Sequence, residues 1–147
     1  MDKIPCVMLA YFDFESIRAT LDAIAVHARS LDIIVVENAS PSTADAIQPH
    51  IDGLLDDGIV STYNLFERNI TNNAYQIVLE ALHDRVRRAP HVIVTDGDLL
   101  VHDPSWLNEE LGVLEAHPEV FACGVSLEMD NLPLATFRIS TPTHTTC

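Results

Sequence analysis

Short apolar runs alternate with stretches of helical spacing along this chain, and that alternation limits the folds open to it. The clearest run, 33–36, is wholly β-branched and stops at a turn signal that begins with Glu37. Strands that alternate with helices of about 10–15 residues favour right-handed βαβ units. We therefore predict an α/β fold of three layers, Rossmann-like, with a mainly parallel twisted sheet and helices on both faces. Strands are expected at 6–10, 33–36, 59–63, 92–94 and 120–125.

The segments between these runs carry apolar residues at helical spacing. They predict helices over 15–29, 43–55, 72–87 and 106–115, of which the second is weaker and is interrupted or ended near Pro49. A length of 147 residues suits a single domain over 1–147. Residues 142–147 have no periodicity, and we predict a flexible tail over 133–147 unless a ligand orders it.

The composition limits the partners of the chain. With 8 basic and 22 acidic residues, the formal charge is −14, which argues against a nucleic-acid surface and against an anionic membrane face. The negative charge also repels an anionic substrate unless clustered carboxylates bind a divalent cation that reverses the local charge. A surface whose acidic residues only keep the protein soluble explains the charge equally well. The three cysteines are dispersed, and neither a signal sequence nor a membrane-spanning stretch is visible. We expect a soluble cytoplasmic protein.

The triplet Asp96-Gly97-Asp98 ends the fourth predicted strand. Gly97 permits a tight backbone, and carboxylates one residue apart can approach one hard cation through oxygen ligands. The plain alternative is a surface turn, in which Asp and Gly are common.

Ligands of open α/β sheets bind outside the carboxyl ends of the strands. That rule selects four predicted loops, and the sequence contains neither the G-x-G-x-x-G nor the G-x-x-x-x-G-K-[ST] phosphate loop. A bound metal is therefore the expected means of holding phosphates. The loops are 10–13, 37–40, 64–73 and 96–98.

Four segments in order resemble nucleotide-sugar-dependent glycosyltransferases of the A fold, especially family 2. Residues 7–12 look like the opening strand and loop of that family, and 33–40 (IIVVENAS) resembles its Val-Val-Asp-Asn-small-Ser segment. Residues 67–74 (ERNITNNA) look like its Asn-containing loop, and 92–107, with Asp96-Gly97-Asp98 as the D-x-D motif, is the closest match. The resemblance covers roughly residues 4–130.

The resemblance implies a Mn²⁺ or Mg²⁺ ion on the diphosphate of a nucleotide-sugar, either a UDP- or a GDP-sugar. Asp98 would be the main metal ligand, and Asp96 would contact the metal or the ribose or sugar of the donor. His144 would be a third ligand if the tail folds back over the site, against the alternative of an unstructured tail.

The resemblance implies further contacts to the nucleotide-sugar donor at the other three loops and at Gly97. Glu37 would accept from ribose hydroxyls or the base, Tyr11 would lie against the base, and Arg68 would contact the diphosphate. For these three, the alternatives are a solvated acid, a packing aromatic and a partnerless surface arginine. The other positions assigned to donor binding are Ala10, Asn38, Asn69 and Gly97.

For a transfer that inverts the configuration at the anomeric carbon of the sugar, a carboxylate after the fifth predicted strand would deprotonate the acceptor hydroxyl. Asp130 is favoured over Glu128, and both are open to the reading of ordinary loop acids. Two features depart from the family: Thr71 stands where Gly is frequent, and family members continue far beyond the length available here.

The predicted function is sugar transfer from a nucleoside-diphosphate sugar to an unidentified acceptor. Two alternatives stay open: a nucleotide-sugar-binding module without transfer activity, and another metal-dependent enzyme such as a nucleotidyltransferase or phosphohydrolase. The last normally needs more glycine or basic residues around its phosphates than this chain offers.

Overall fold

The structure is a computed structural model that describes residues 3–11, 13–40 and 44–125. The chain divides into two compact units, Met1–Pro104 and Ser105–Cys147. The single domain predicted from the length stays a prediction. The first unit contains the sheet, whose strands are β1 Ile4–Ala10, β2 Leu31–Glu37, β3 Val60–Leu65 and β4 Ile93–Asp96.

Within the described ranges, five helices accompany these strands in chain order. The first unit holds four of them, and α5 belongs to the second unit. In the part of the chain that the structure describes, none of these helices has both the length and the apolar character that a membrane span requires. The helices are α1 Phe14–Ala25, α2 Ala44–Asp56, α3 Asn73–Ala81, α4 His83–Arg88 and α5 Trp106–Ala116.

The sheet has the strand order β3-β2-β1-β4, and every neighbouring pair is parallel. The α/β class and the parallel sheet predicted from the sequence are thereby confirmed. From β1 the chain moves to β2 and on to β3, then crosses back to β4 on the far side of β1. Since crossovers are right-handed, α1 and α2 cover one face and the β3–β4 connection covers the other.

The burial pattern agrees with this arrangement. One face carries Val7, Leu9, Ile34 and Val36, against which Ala74 and Val78 of α3 pack. The alternate residues of β1 and β2 are equally buried on the opposite face. The buried residues contributed by α1 and α2 are Ile17, Thr20, Leu21, Ile24, Ile47 and Ile51.

Helix α2 continues through Pro49, although the sequence predicted an interruption or end near that residue. Proline inside a helix costs about 3 kcal/mol. Ile47 and Ile51, on either side of Pro49, are both fully buried, and burial of each side chain contributes about 1.5–3 kcal/mol. Burial therefore offsets the lost backbone hydrogen bond.

The predicted helix over 72–87 is divided in two at Leu82. The backbone of Leu82 leaves the helical region, with φ −95° and ψ 14°, while its side chain packs against the core cluster of α3. Apolar spacing does not reveal this break, because Leu82 keeps its place in the apolar pattern.

The fifth strand predicted at 120–125 is wrong. No strand forms there, and Phe121 is fully exposed. An apolar run becomes a strand only where a neighbouring strand supplies hydrogen bonds, and none pairs with this run among the described residues.

Candidate functional site

The carboxyl ends of all four strands lie at one edge of the sheet, because every strand runs in the same direction. The connections reverse direction at β1: the chain leaves β1 towards β2, and β4 arrives on the other side. The neighbouring tips of β1 and β4 are therefore the topological switch point, where open α/β sheets bind their ligands. Asp96, the last residue of β4, stands at this point opposite Leu9.

Gly97 fixes the D-x-D triplet to β1. Its N–H donates to the Leu9 carbonyl at 2.8 Å. A Cβ at this position would lie 2.9 Å from the same oxygen and 3.1 Å from Ile17 Cγ1. Gly97 is buried, whereas Asp96 and Asp98 on either side are exposed. The absence of a side chain at Gly97 thus lets its backbone approach that of Leu9 closely, while the two neighbouring carboxylates stay in solvent.

Thr20 supports the triplet from α1. Its hydroxyl lies 3.0 Å from the Gly97 carbonyl and 3.3 Å from that of Leu99, and the residue is buried. No pattern in the sequence singles out Thr20, since it lies on the same helical face as apolar residues.

Tyr75 of α3 was also missed by sequence reasoning. Its hydroxyl lies 2.7 Å from the Thr95 carbonyl and 2.7 Å from Asp96 Oδ1. Burial first, and then the bond to Asp96, raises the pKa of Tyr75 above its ordinary value. One oxygen of Asp96 is therefore engaged, whereas Asp98 makes no hydrogen bond within the described ranges.

Glu37 at the tip of β2 is fully buried, contrary to the reading of a solvated acid. The Tyr63 hydroxyl donates to its Oε2. Burial and this carboxylate raise the pKa of Tyr63 above its ordinary value. Oε1 of Glu37 is also buried, and it has no hydrogen-bond partner in the part of the chain that the structure describes.

Asn38 joins the tip of β2 to the loop after β3. Its Oδ1 accepts from Ile70 N–H at 2.9 Å, and its Nδ2 donates to Asn69 Oδ1 at 3.0 Å and to the Thr71 carbonyl at 3.1 Å. Asn69 Oδ1 also accepts from Thr71 N–H at 2.7 Å. Asn38 and Asn69, both predicted to contact the nucleotide-sugar, therefore form hydrogen bonds with each other and with the loop backbone.

Two residues of these loops have left-handed backbones. Ala39 has φ 53° and Thr71 has φ 57°, a region that favours glycine and is rare for a β-branched residue. Thr71 thus takes a backbone conformation that glycine adopts readily. The presence of Thr, where the glycosyltransferases that the chain resembles often have Gly, does not prevent this loop shape.

The other predicted contact residues lie at the same edge or outside the described ranges. Ala10 is fully buried, and its carbonyl accepts from Asn38 N–H at 3.1 Å. Tyr11 is 44% exposed. Arg68 is exposed and makes no ion pair within the described ranges. The predicted base and third ligand, Asp130, Glu128 and His144, lie outside the described residues.

A metal at this edge would have few protein ligands. Among the described residues, no group of three or more His, Cys, Asp or Glu side chains could hold a metal ion. Asp96 and Asp98 offer two exposed carboxylates from one strand tip. That set fits Mg²⁺ or a similar hard cation when phosphate and water oxygens complete the shell.

No family model matches this chain. It is 42% identical over 139 residues to the uncharacterized protein L137 of Acanthamoeba polyphaga mimivirus, a match that covers 92% of this chain and 19% of that protein. It is 35% identical over 142 residues to the uncharacterized protein L142 of the same virus, covering 95% of this chain and 29% of that protein. The chain thus spans less than a third of these relatives.

Proposed function

We propose that this chain binds a nucleoside-diphosphate sugar and a divalent cation and transfers the sugar to an acceptor, as in glycosyltransferases of the A fold. The observation that supports this most is the position of Asp96 and Asp98, both exposed, at the switch point between β1 and β4. The ordered resemblance over 4–130 adds the substrate class.

Charge supports a cation between protein and diphosphate. The chain carries a formal charge of −14, and carboxylates repel phosphates at close range. Bound Mn²⁺ or Mg²⁺ would neutralise the diphosphate as it leaves the sugar. Asp98 is the proposed principal ligand, since no hydrogen bond within the described ranges engages it.

Asp96 would bind with its second oxygen, because Tyr75 occupies the first. The same bond restrains the Asp96 rotamer. The role of Tyr75 is to position that carboxylate rather than to contact the reacting atoms.

Glu37 is the proposed acceptor for a hydroxyl or N–H of the nucleoside. A buried acceptor without a partner costs about 1–3 kcal/mol, so a donor from a ligand would stabilise it. Glu37 has no exposed surface, and contact with a nucleoside therefore requires the tip of β2 to open.

Asp130, with Glu128 as the alternative, is the proposed base that deprotonates the acceptor in an inverting transfer. A positioned general base contributes roughly 10²–10⁴-fold to the rate. Its replacement by Asn should leave donor affinity unchanged while the transfer rate falls by that factor.

The decisive experiment is release of nucleoside diphosphate from UDP- and GDP-sugars, measured with Mn²⁺ and with a chelator. The proposal expects slow, metal-dependent release from one donor, accelerated by an acceptor. Metal-dependent binding without any release identifies a binding module instead. If UDP and GDP each bind as tightly in chelator as they do in Mn²⁺, the proposed metal bridge is rejected.

A further inference from the structure

A polar cleft lies at the edge of the sheet where the strands begin, opposite the candidate functional site. It has a volume of about 300 Å³ and is lined by Lys3, Pro5, Asp32, Arg85, Arg88 and Ala89. Lys3 precedes β1, Asp32 is the second residue of β2, and the two arginines come from α4. We call this the amino-edge cleft.

The amino-edge cleft concentrates positive charge on an acidic protein. The whole chain has 8 lysine and arginine residues, and three of them line this one cleft. Among the described residues that line the cleft, Asp32 provides the one carboxylate, so these side chains carry a net charge of +2.

Within the described ranges, the cleft contains one ion pair, and this pair leaves most of the nitrogen donors of the cleft available. Arg85 Nη1 lies 3.4 Å from Asp32 Oδ2 and 3.3 Å from Thr62 Oγ1. Its Nε and Nη2 have no hydrogen-bond partner within the described ranges. The same is true of the side chains of Lys3 and Arg88, so the cleft presents cationic donors from α4 and from the residue that precedes β1.

Helix electrostatics account for only part of this arrangement. Cations near a helix C-terminus interact favourably with the helix dipole, which explains arginines in the last turn of α4. Arg87 satisfies that rule as well and does not line the cleft. The dipole does not explain Lys3, which comes from the start of the sheet.

We propose that the amino-edge cleft binds the dianionic phosphoryl group of a small phosphate monoester. A phosphate monoester carries about −1.5 to −2 charges at pH 7, which matches in size the net charge of +2 on the described lining side chains. A carboxylate would neutralise only one. Arginine binds phosphate oxygens in pairs, and lysine adds a point charge. This site needs no metal and is independent of the proposed sugar transfer.

The test is calorimetric titration of the full chain with inorganic phosphate at low salt and with a chelator present. The chelator removes metal-dependent binding at the carboxyl edge. We expect saturable binding with one site per chain, weakened about tenfold in Arg88→Gln and in Lys3→Gln by the loss of one charge-assisted contact each. Arg87→Gln, which removes the same charge from the same helix, should bind as wild type does.

Three further titrations complete the test. Asp98→Ala should bind inorganic phosphate like wild type, and acetate should bind at least tenfold more weakly. A phosphoserine peptide that binds much more tightly than inorganic phosphate would overturn the small-molecule assignment in favour of a phosphorylated protein. No saturable binding, equal binding of acetate, or equal weakening in Arg87→Gln would overturn the site itself.

Discussion

The tips of β2 and β4 lie on the same edge of one sheet, yet the polar side chains at one tip are buried and those at the other are exposed. At the tip of β2, Glu37 and Asn38 are buried and bonded to the protein itself. At the tip of β4, Asp96 and Asp98 are exposed, and the buried groups beneath them are Gly97 and Thr20. The polar groups at the tip of β2 therefore stabilise the fold, whereas at the tip of β4 the fold positions the carboxylates.

The largest effect should come from Asn38→Ala. This change removes three hydrogen bonds and leaves Ile70 N–H without its acceptor. Because unsatisfied buried groups cost about 1–3 kcal/mol each, we expect the free energy of unfolding to fall by about 2–4 kcal/mol in urea denaturation. A loss below about 1 kcal/mol would mean that Asn38 does not hold the loop.

Gly97→Ala should destabilise the protein by about 1–3 kcal/mol, since the added Cβ meets backbone that cannot move freely. The matched control is Gly53→Ala, at a helical position with open space around the new methyl. That control should be neutral or stabilising by up to about 1 kcal/mol. Equal effects of the two changes in urea denaturation would contradict the close approach of Gly97 to Leu9.

Stability should fall in alkaline solution because the folded state raises the pKa of Tyr63 and of Tyr75. The folded protein holds these protons more tightly than the unfolded chain does. Their contribution is therefore complete below the ordinary tyrosine pKa of about 10 and is lost as the pH rises above it.

The tyrosine variants compare the two tips directly. Tyr63→Phe and Tyr75→Phe should each flatten the alkaline decline in urea midpoint between pH 9 and pH 11. Tyr11→Phe, a change at an exposed tyrosine of the same edge, is the control. A decline that both variants leave as steep as in wild type would show that neither hydroxyl is held as described.

The smallest effect is expected for Thr71→Gly. Glycine removes the strain of the left-handed backbone at φ 57°, but it also raises the entropy of the unfolded chain, which opposes folding. The net stabilisation should therefore be about 0.5–1 kcal/mol. Thr71→Ala relieves only the β-branch and should gain less. A loss of stability with glycine in urea denaturation would mean that the Thr71 hydroxyl, which bonds the Ile70 carbonyl, matters more than the backbone.

Sequence periodicity predicted the strands of the first unit, because buried parallel strands leave continuous apolar runs. It failed at 120–125, where an apolar run has no strand partner among the described residues, and at Leu82, where a helix ends inside an apolar pattern. The triplet at the tip of β4 was visible because it interrupts such a run. Tyr75, Thr20 and Tyr63 were not, since their roles depend on contacts between residues far apart in the chain.

The central claim is that Asp98 binds a cation for a nucleoside diphosphate without supporting the fold. Calorimetric titration of UDP and GDP in Mn²⁺ tests it in wild type, in Asp98→Ala and in Asp57→Ala, which removes an equal charge from an exposed turn before β3. We predict that Asp98→Ala keeps the urea midpoint of wild type and loses Mn²⁺-dependent binding, while Asp57→Ala keeps both. Unchanged binding in Asp98→Ala, or an unfolded Asp98→Ala protein, would contradict the account.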